Sequence, residues 1–171
     1  VRRAEGAEPN AASLASDVPA ALVSRSKTAL RLNGAMAYFR DGANFKLAPN
    51  FSLSFFFKIE GDSKKRQTLL TRTGDWSLDY IPAKGEIQFT TKGGAPVALK
   101  VKPGEWQHLA LTVAGNRLQF YLNGKGAGPA QTLDKLPGDS GQLYIGGASS
   151  TVGNAYSGLI DELSIWNQAL T

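Results

Sequence analysis

The chain contains no cysteine and only one histidine. The first absence excludes disulfides, thiol nucleophiles and thiolate-bound zinc, and the second excludes a multi-histidine metal centre. No apolar run approaches the roughly 18 residues of a membrane span. No convincing amphipathic helix pattern occurs anywhere. Basic residues outnumber acidic ones, 19 to 14, for a net charge of +5. They are scattered, and no basic stripe within a nucleic-acid-binding module appears, so nucleic acid is not an expected partner. Lys64-Lys65-Arg66 is the one dense cluster. It is expected to be solvated charge on a hairpin loop, with acidic polysaccharide binding as the alternative.

What is present is glycine, 19 of 171 residues, dispersed between short apolar runs. Dispersed glycine at turn dipeptides such as Asn33-Gly34, Asp41-Gly42, Lys84-Gly85, Gly115-Asn116 and Asn123-Gly124 punctuates β structure. In Phe51 to Ile59, Phe51, Leu53, Phe55, Phe57 and Ile59 fall on one face, and Ser52, Ser54 and Lys58 on the other. That period of two fits a strand and not a helix. The same alternation runs through Trp106–Val113 and Arg117–Asn123, joined by Gly115-Asn116 as a tight hairpin. Weaker strands are expected at 28–33, 36–40, 67–73, 75–81, 86–91, 96–101, 142–146 and 158–166. About eleven one-faced strands bury their apolar sides by stacking as two antiparallel sheets. Residues 1–26, rich in alanine and free of aromatics, differ in character and are expected to be a linker or an arm lying on the domain formed by 27–171. The chain opens on Val1-Arg2-Arg3 without methionine, and is expected to be a segment of a longer polypeptide with other domains.

Four segments, in order, resemble laminin-G-like, concanavalin A-like jelly-roll domains. They are Ala29-Leu-Arg-Leu-Asn-Gly34, Phe51 to Ile59, Gly104-Glu-Trp-Gln-His-Leu-Ala-Leu-Thr-Val113 with Leu118-Gln-Phe-Tyr-Leu-Asn-Gly124, and Leu143-Tyr-Ile-Gly-Gly147 with Gly158 to Leu170. The resemblance implies an all-β jelly roll whose first and last strands are adjacent. It also implies buried positions for Trp106 and Trp166. Activity does not follow, since this architecture serves lectins, adhesion modules, spacers and glycanases.

The carboxylate pattern argues against an enzyme. Jelly-roll glycanases place Glu-x-Asp-x-x-Glu on one strand, so that an acid/base and a nucleophile share a face. Here Glu60-Gly61-Asp62 is followed by Lys65 at the sixth position and reads as a turn. His108 has no Gly-x-Ser-x-Gly elbow to serve, and is expected to hydrogen-bond across strands. Asn50-Phe51-Ser52 matches a glycosylation acceptor but opens a core strand, so it is set aside. Asp75 and Asp79 are expected to share a face near Trp76 and Tyr80. Glycan recognition needs aromatic platforms beside amides and carboxylates; the residues that fit are Tyr38, Asp75, Trp76, Tyr80, Asn154 and Tyr156, the last two in a Gly/Ser-rich loop expected to be mobile. Asp161, between apolar neighbours, is open to two readings. One is hydrogen bonding to loop N–H groups. The other, implied by the resemblance, is a structural calcium held with Glu162 as a further candidate ligand and with carbonyls near Asn33-Gly34. The expectation is a non-catalytic recognition module for glycan or protein, exported or at the cell surface. The alternative is a structural spacer docking its neighbours through sheet edges and the arm, and a third reading is a glycan hydrolase working through Asp75 or Asp79.

Overall fold

A computed structural model describes residues 12–22, 27–39, 46–47, 49–147 and 154–171. Residues 1–11 and 23–26 of the expected arm, the Asp41-Gly42 turn and residues 148–153 of the expected mobile loop lie outside them. Two antiparallel sheets form the molecule, as the alternation requires. The larger is ordered β1 (Ser13–Ala15), β2 (Ala29–Asn33), β14 (Ser157–Trp166), β4 (Asn50–Ile59), β9 (Gln107–Ala114), β10 (Arg117–Leu122) and β11 (Lys125–Gly126), with β12 (Gln131–Thr132) also on β10. The smaller is ordered β3 (Ala37–Tyr38), β13 (Leu143–Ile145), β5 (Gln67–Arg72), β6 (Trp76–Ile81), β7 (Glu86–Thr91) and β8 (Val97–Lys100). The closing strand β14 lies between β2 and β4, so the first strand of the resemblance and the last are neighbours.

The core forms where the two inner faces meet. Phe51, Leu53, Phe55, Phe57 and Ile59 from β4 are all buried, as are Leu109, Leu111 and Val113 from β9. Across the sandwich stand Leu70, Leu78, Ile87, Phe89 and Leu99. Phe51 stacks on Trp76 at 5.6 Å, and Phe89 packs against both rings. The Gly115-Asn116 hairpin forms as expected, pairing Ala114 with Arg117.

Part of the arm is built into the fold. β1 extends the larger sheet by pairing with β2, and Leu22 is buried. Asp17 accepts from Lys58 Nζ at 2.6 Å and from the Trp106 indole N–H at 2.7 Å. These two partners hold the Asp17 carboxyl below the usual carboxylate range.

Both tryptophans implied to be core depart from that expectation. Trp106 is half-buried, with its N–H satisfied by Asp17. Trp166 is 36% exposed, and its cause is a β-bulge. Between Asp161 and Ser164 the chain advances three residues while its partner moves only from Phe56 to Ser54. The extra residue reverses the alternation. Ile160 faces the core, but Trp166, six residues on, pairs with Ser52 on the outer face. Glu162 carries the bulge with φ of +51°.

Candidate functional site

The outer face of the smaller sheet gathers polar side chains that lie far apart in sequence. Register aligns Tyr38, Tyr144, Thr71, Ser77 and Thr90 in one row across β3, β13, β5, β6 and β7. At about 4.8 Å per strand, such a row spans roughly 19 Å. At one end, the Tyr38 and Tyr144 rings lie 5.9 Å apart with a 44° tilt. Tyr38 is 39% exposed. Towards the middle, Arg66, Thr68, Ser77, Thr90, Lys92 and Asn154 are among the residues lining a shallow depression of about 350 Å³.

Asp79, in the next row, is only 1% exposed despite pointing outward. It is covered by donors. Thr68 Oγ1 donates to it at 2.7 Å, Ser77 Oγ donates at 2.6 Å, and Arg66 pairs with it while also donating to Ser77 Oγ at 3.0 Å. A carboxylate carrying three donors is fixed in place; it organises the hydroxyls around it.

Asp75, just before β6, lies at the border of the same depression. It accepts from the Gly138 N–H at 2.5 Å, while its other oxygen has no hydrogen-bond partner among the described residues. Burial raises its pKa above 3.8, opposed by the Gly138 N–H and the Arg72 charge and reinforced by Asp139. The folded value therefore exceeds the unfolded one, and the stability contribution of Asp75 is full at low pH and lost as pH rises from 3.8 through the folded value. Asp75→Asn keeps an acceptor for Gly138 and removes the charge. Urea midpoints measured from pH 4 to 7 should fall with rising pH more in the native chain than in this variant.

Three of the expected aromatic platforms are core residues, which corrects their assignment as ligand contacts. Trp76 and Tyr80 alternate with outward Ser77 and Asp79 on β6, so both rings point inward beside Leu78. Burial pushes the Tyr80 hydroxyl pKa up. Tyr156 is 0% exposed, and its hydroxyl donates to the Lys58 carbonyl at 2.8 Å. It ties β14 to β4 and is not available to a ligand. Of the expected set, Tyr38 and Asn154 lie exposed on the outer side, and Asp75 borders the depression at its buried end.

His108 and Asp161 face the other way, on the outer side of the larger sheet. His108 Nε2 lies 2.7 Å from Ser54 Oγ, and the ring packs on Phe56 at 4.8 Å. This is the cross-strand hydrogen bond expected of it. Burial lowers the His108 pKa, favouring the neutral ring. Asp161 Oδ1 accepts from the Glu162 N–H at 2.9 Å. The carbonyls expected to join it in holding calcium are not beside it, because Asn33 pairs with Ser157, four residues earlier on β14. No cluster of three or more His, Cys, Asp or Glu occurs among the described residues. Ser52 of the Asn50-Phe51-Ser52 pattern is buried and bonded to the Gln168 carbonyl and the Leu170 N–H.

Sequence reasoning missed Tyr144, Thr71, Ser77, Thr90 and the outward role of Arg66. Tyr144 stands between buried Leu143 and Ile145, so its outward direction was legible from alternation. Its alignment with Thr71, Ser77 and Thr90 required the register.

Comparison with known proteins agrees with this architecture. No protein with a curated description matches by sequence. Among solved structures, the chain is similar to domain 4 of AbnA, a GH43 extracellular arabinanase from Geobacillus stearothermophilus, in complex with arabinotriose. The TM-score is 0.67 at 20% identity, covering 94% of this chain and 77% of that one. It is also similar to the binding domain of Paraclostridial Mosquitocidal Protein 1, with TM-score 0.67, 14% identity, and 94% and 43% coverage. A Trypanosoma rangeli sialidase mutant displaying trans-sialidase activity gives 0.64, 19%, and 95% and 28%. The chain thus spans less than half of the last two. At these identities the likeness is one of fold. Residues 32–171 match the Laminin_G_3 model, and the chain belongs to that family, within the concanavalin A-like lectin/glucanases superfamily.

Proposed function

We propose that the domain is a carbohydrate-binding module that catalyses nothing, and that it binds glycan along the outer face of the smaller sheet. The observation that carries this reading is the cross-strand row of Tyr38, Tyr144, Thr71, Ser77 and Thr90. Tyrosine rings offer a flat apolar surface to the C–H face of a sugar, and Ser77 and Thr90 beside them meet its polar edge, while Thr71, buried with its hydroxyl on the Trp76 carbonyl, spaces the two groups. The length of the row suits an oligosaccharide better than a single ring. The AbnA domain, bound to arabinotriose, lends support from a related fold.

Hydrolysis fits the geometry poorly. A glycosidase needs two carboxyl groups about 5–9.5 Å apart facing one bond. Asp75 and Asp79 are separated by four residues of nearly extended chain, roughly 13 Å. Asp79 is already saturated by Arg66, Thr68 and Ser77. An exported or surface setting belongs to the same reading, because polysaccharide ligands are met there.

A glycan array probed with the whole chain tests the proposal. Binding to one sugar class is expected, weakened at least tenfold (about 1.4 kcal/mol) by Tyr144→Ala or Ser77→Ala. Trp166→Ala, on the outer face of the opposite sheet, should leave binding unchanged. Thermal melts separate lost binding from lost folding: all three variants should still unfold cooperatively, with Ser77→Ala lowered because it removes a donor from buried Asp79. A blank array, or equal loss in Trp166→Ala, would reject this face as the site.

A further inference from the structure

Resting on that reading, we infer that the glycan is acidic, a chain carrying repeated carboxylate or sulfate groups. The argument is one of unspent hydrogen-bonding capacity. Carboxylates on this face are engaged within the protein. Asp79 takes its three donors, and Glu86 pairs with Lys100 at 3.1 Å while accepting from Gln88 Nε2 at 3.3 Å. The exposed carboxylate acceptors a neutral sugar's hydroxyls would seek are therefore occupied, and the carboxylate oxygen beside the depression that has no partner among the described residues, Asp75 Oδ2, is buried.

The cationic donors are not. The Arg66 side chain remains 48% exposed after pairing with Asp79. Lys64 and Lys65 precede it, both exposed, and Lys92 is exposed at the other side of the depression. None of these three lysines makes an ion pair among the described residues. In the loop that holds Lys64 and Lys65, the exposed carboxylate is Asp62, one charge against three.

Placement turns this surplus into a preference for a polyanion. Arg66 immediately precedes β5, at the level where Gln67 pairs with Tyr80, and Lys92 follows β7, where Thr91 pairs with Trp76. The backbones of Arg66 and Lys92 thus stand at opposite ends of β6, but the Arg66 guanidinium reaches along the strand to Ser77, so both cations border one depression, with Lys64 and Lys65 preceding Arg66 in the loop. An acidic sugar in the depression meets Arg66 and Lys92, a chain with recurring acidic groups extends to Lys64 and Lys65 as well, and exposed charges of one sign also draw it in from solution.

Calorimetric titration of the whole chain with four probes decides the matter: oligogalacturonate, its methyl ester, a heparin oligosaccharide and arabinotriose. At low salt, at least one acidic probe should bind ten or more times more tightly than both neutral ones. Carboxylate and sulfate recognition are separated by which acidic probe leads. The margin should collapse near 1 M salt, where screening acts within about 3 Å. The combined variant Lys64→Gln, Lys65→Gln, Lys92→Gln should bring acidic and neutral probes within threefold while keeping the parent's thermal midpoint. Neutral probes binding as well as acidic ones, or a preference surviving the triple variant, would overturn the inference and leave the glycan reading standing. Absence of binding to all four probes would overturn both.

Discussion

Replacing Arg72 with methionine should destabilise the domain by about 3 kcal/mol, because a buried guanidinium there holds an entire loop. Arg72 is 1% exposed, at the end of β5. Its Nε donates to the Ser140 carbonyl at 3.2 Å and its Nη2 to the Asp139 carbonyl at 2.8 Å. Nη1 lies 3.3 Å from the Asp139 carboxylate, which in turn accepts from the Leu47 N–H at 2.6 Å. Methionine fills much of the volume but supplies no donor, so two carbonyls and a partly buried carboxylate lose a partner together. The segment also has no slack. Gly141, at φ of +94°, brings its Cα against the Thr73 carbonyl so closely that an added Cβ would overlap it. Urea unfolding of Arg72→Met, Asp139→Asn and the double variant checks this. The double should cost less than the sum of the singles, since the residues act on one network. Additive costs, or a loss below about 1 kcal/mol for Arg72→Met, would show that the loop is held by other means.

Adjacent phenylalanines on β4 should respond very differently to truncation. Phe57 is completely buried, pairs with Ile160 and contacts Phe55 at 5.9 Å between ring centres. Phe57→Ala should cost about 3–5 kcal/mol through lost transfer energy and the cavity left behind. Phe56 points the opposite way and lies over His108 on the outer face, partly exposed. Phe56→Ala should cost about 1 kcal/mol, the scale of an exposed aromatic contact. Denaturant midpoints of the two variants read the difference directly. Equal losses would contradict the face assignment of β4 and, with it, the pairing of β4 with β9 and β14.

That contrast was legible without coordinates, because side chains alternate along any strand and five apolar residues at period two leave one choice of face. The same logic already pointed Trp76 and Tyr80 inward beside Leu78; choosing them as ligand platforms set aromatic chemistry above periodicity. The amino-acid order by itself therefore determined the fold class, most strand positions, the core faces of β4 and β9, and the absence of thiol and multi-histidine chemistry. Tertiary structure decided the rest. Alternation is local, whereas a bulge depends on how two strands register, so only the paired β14 and β4 reveal that Trp166 faces outward. The row from Tyr38 to Thr90 is likewise a product of register among five strands drawn from more than a hundred residues of chain. No periodicity along a single segment encodes such a row, because it exists only once the sheet has closed its hydrogen bonds.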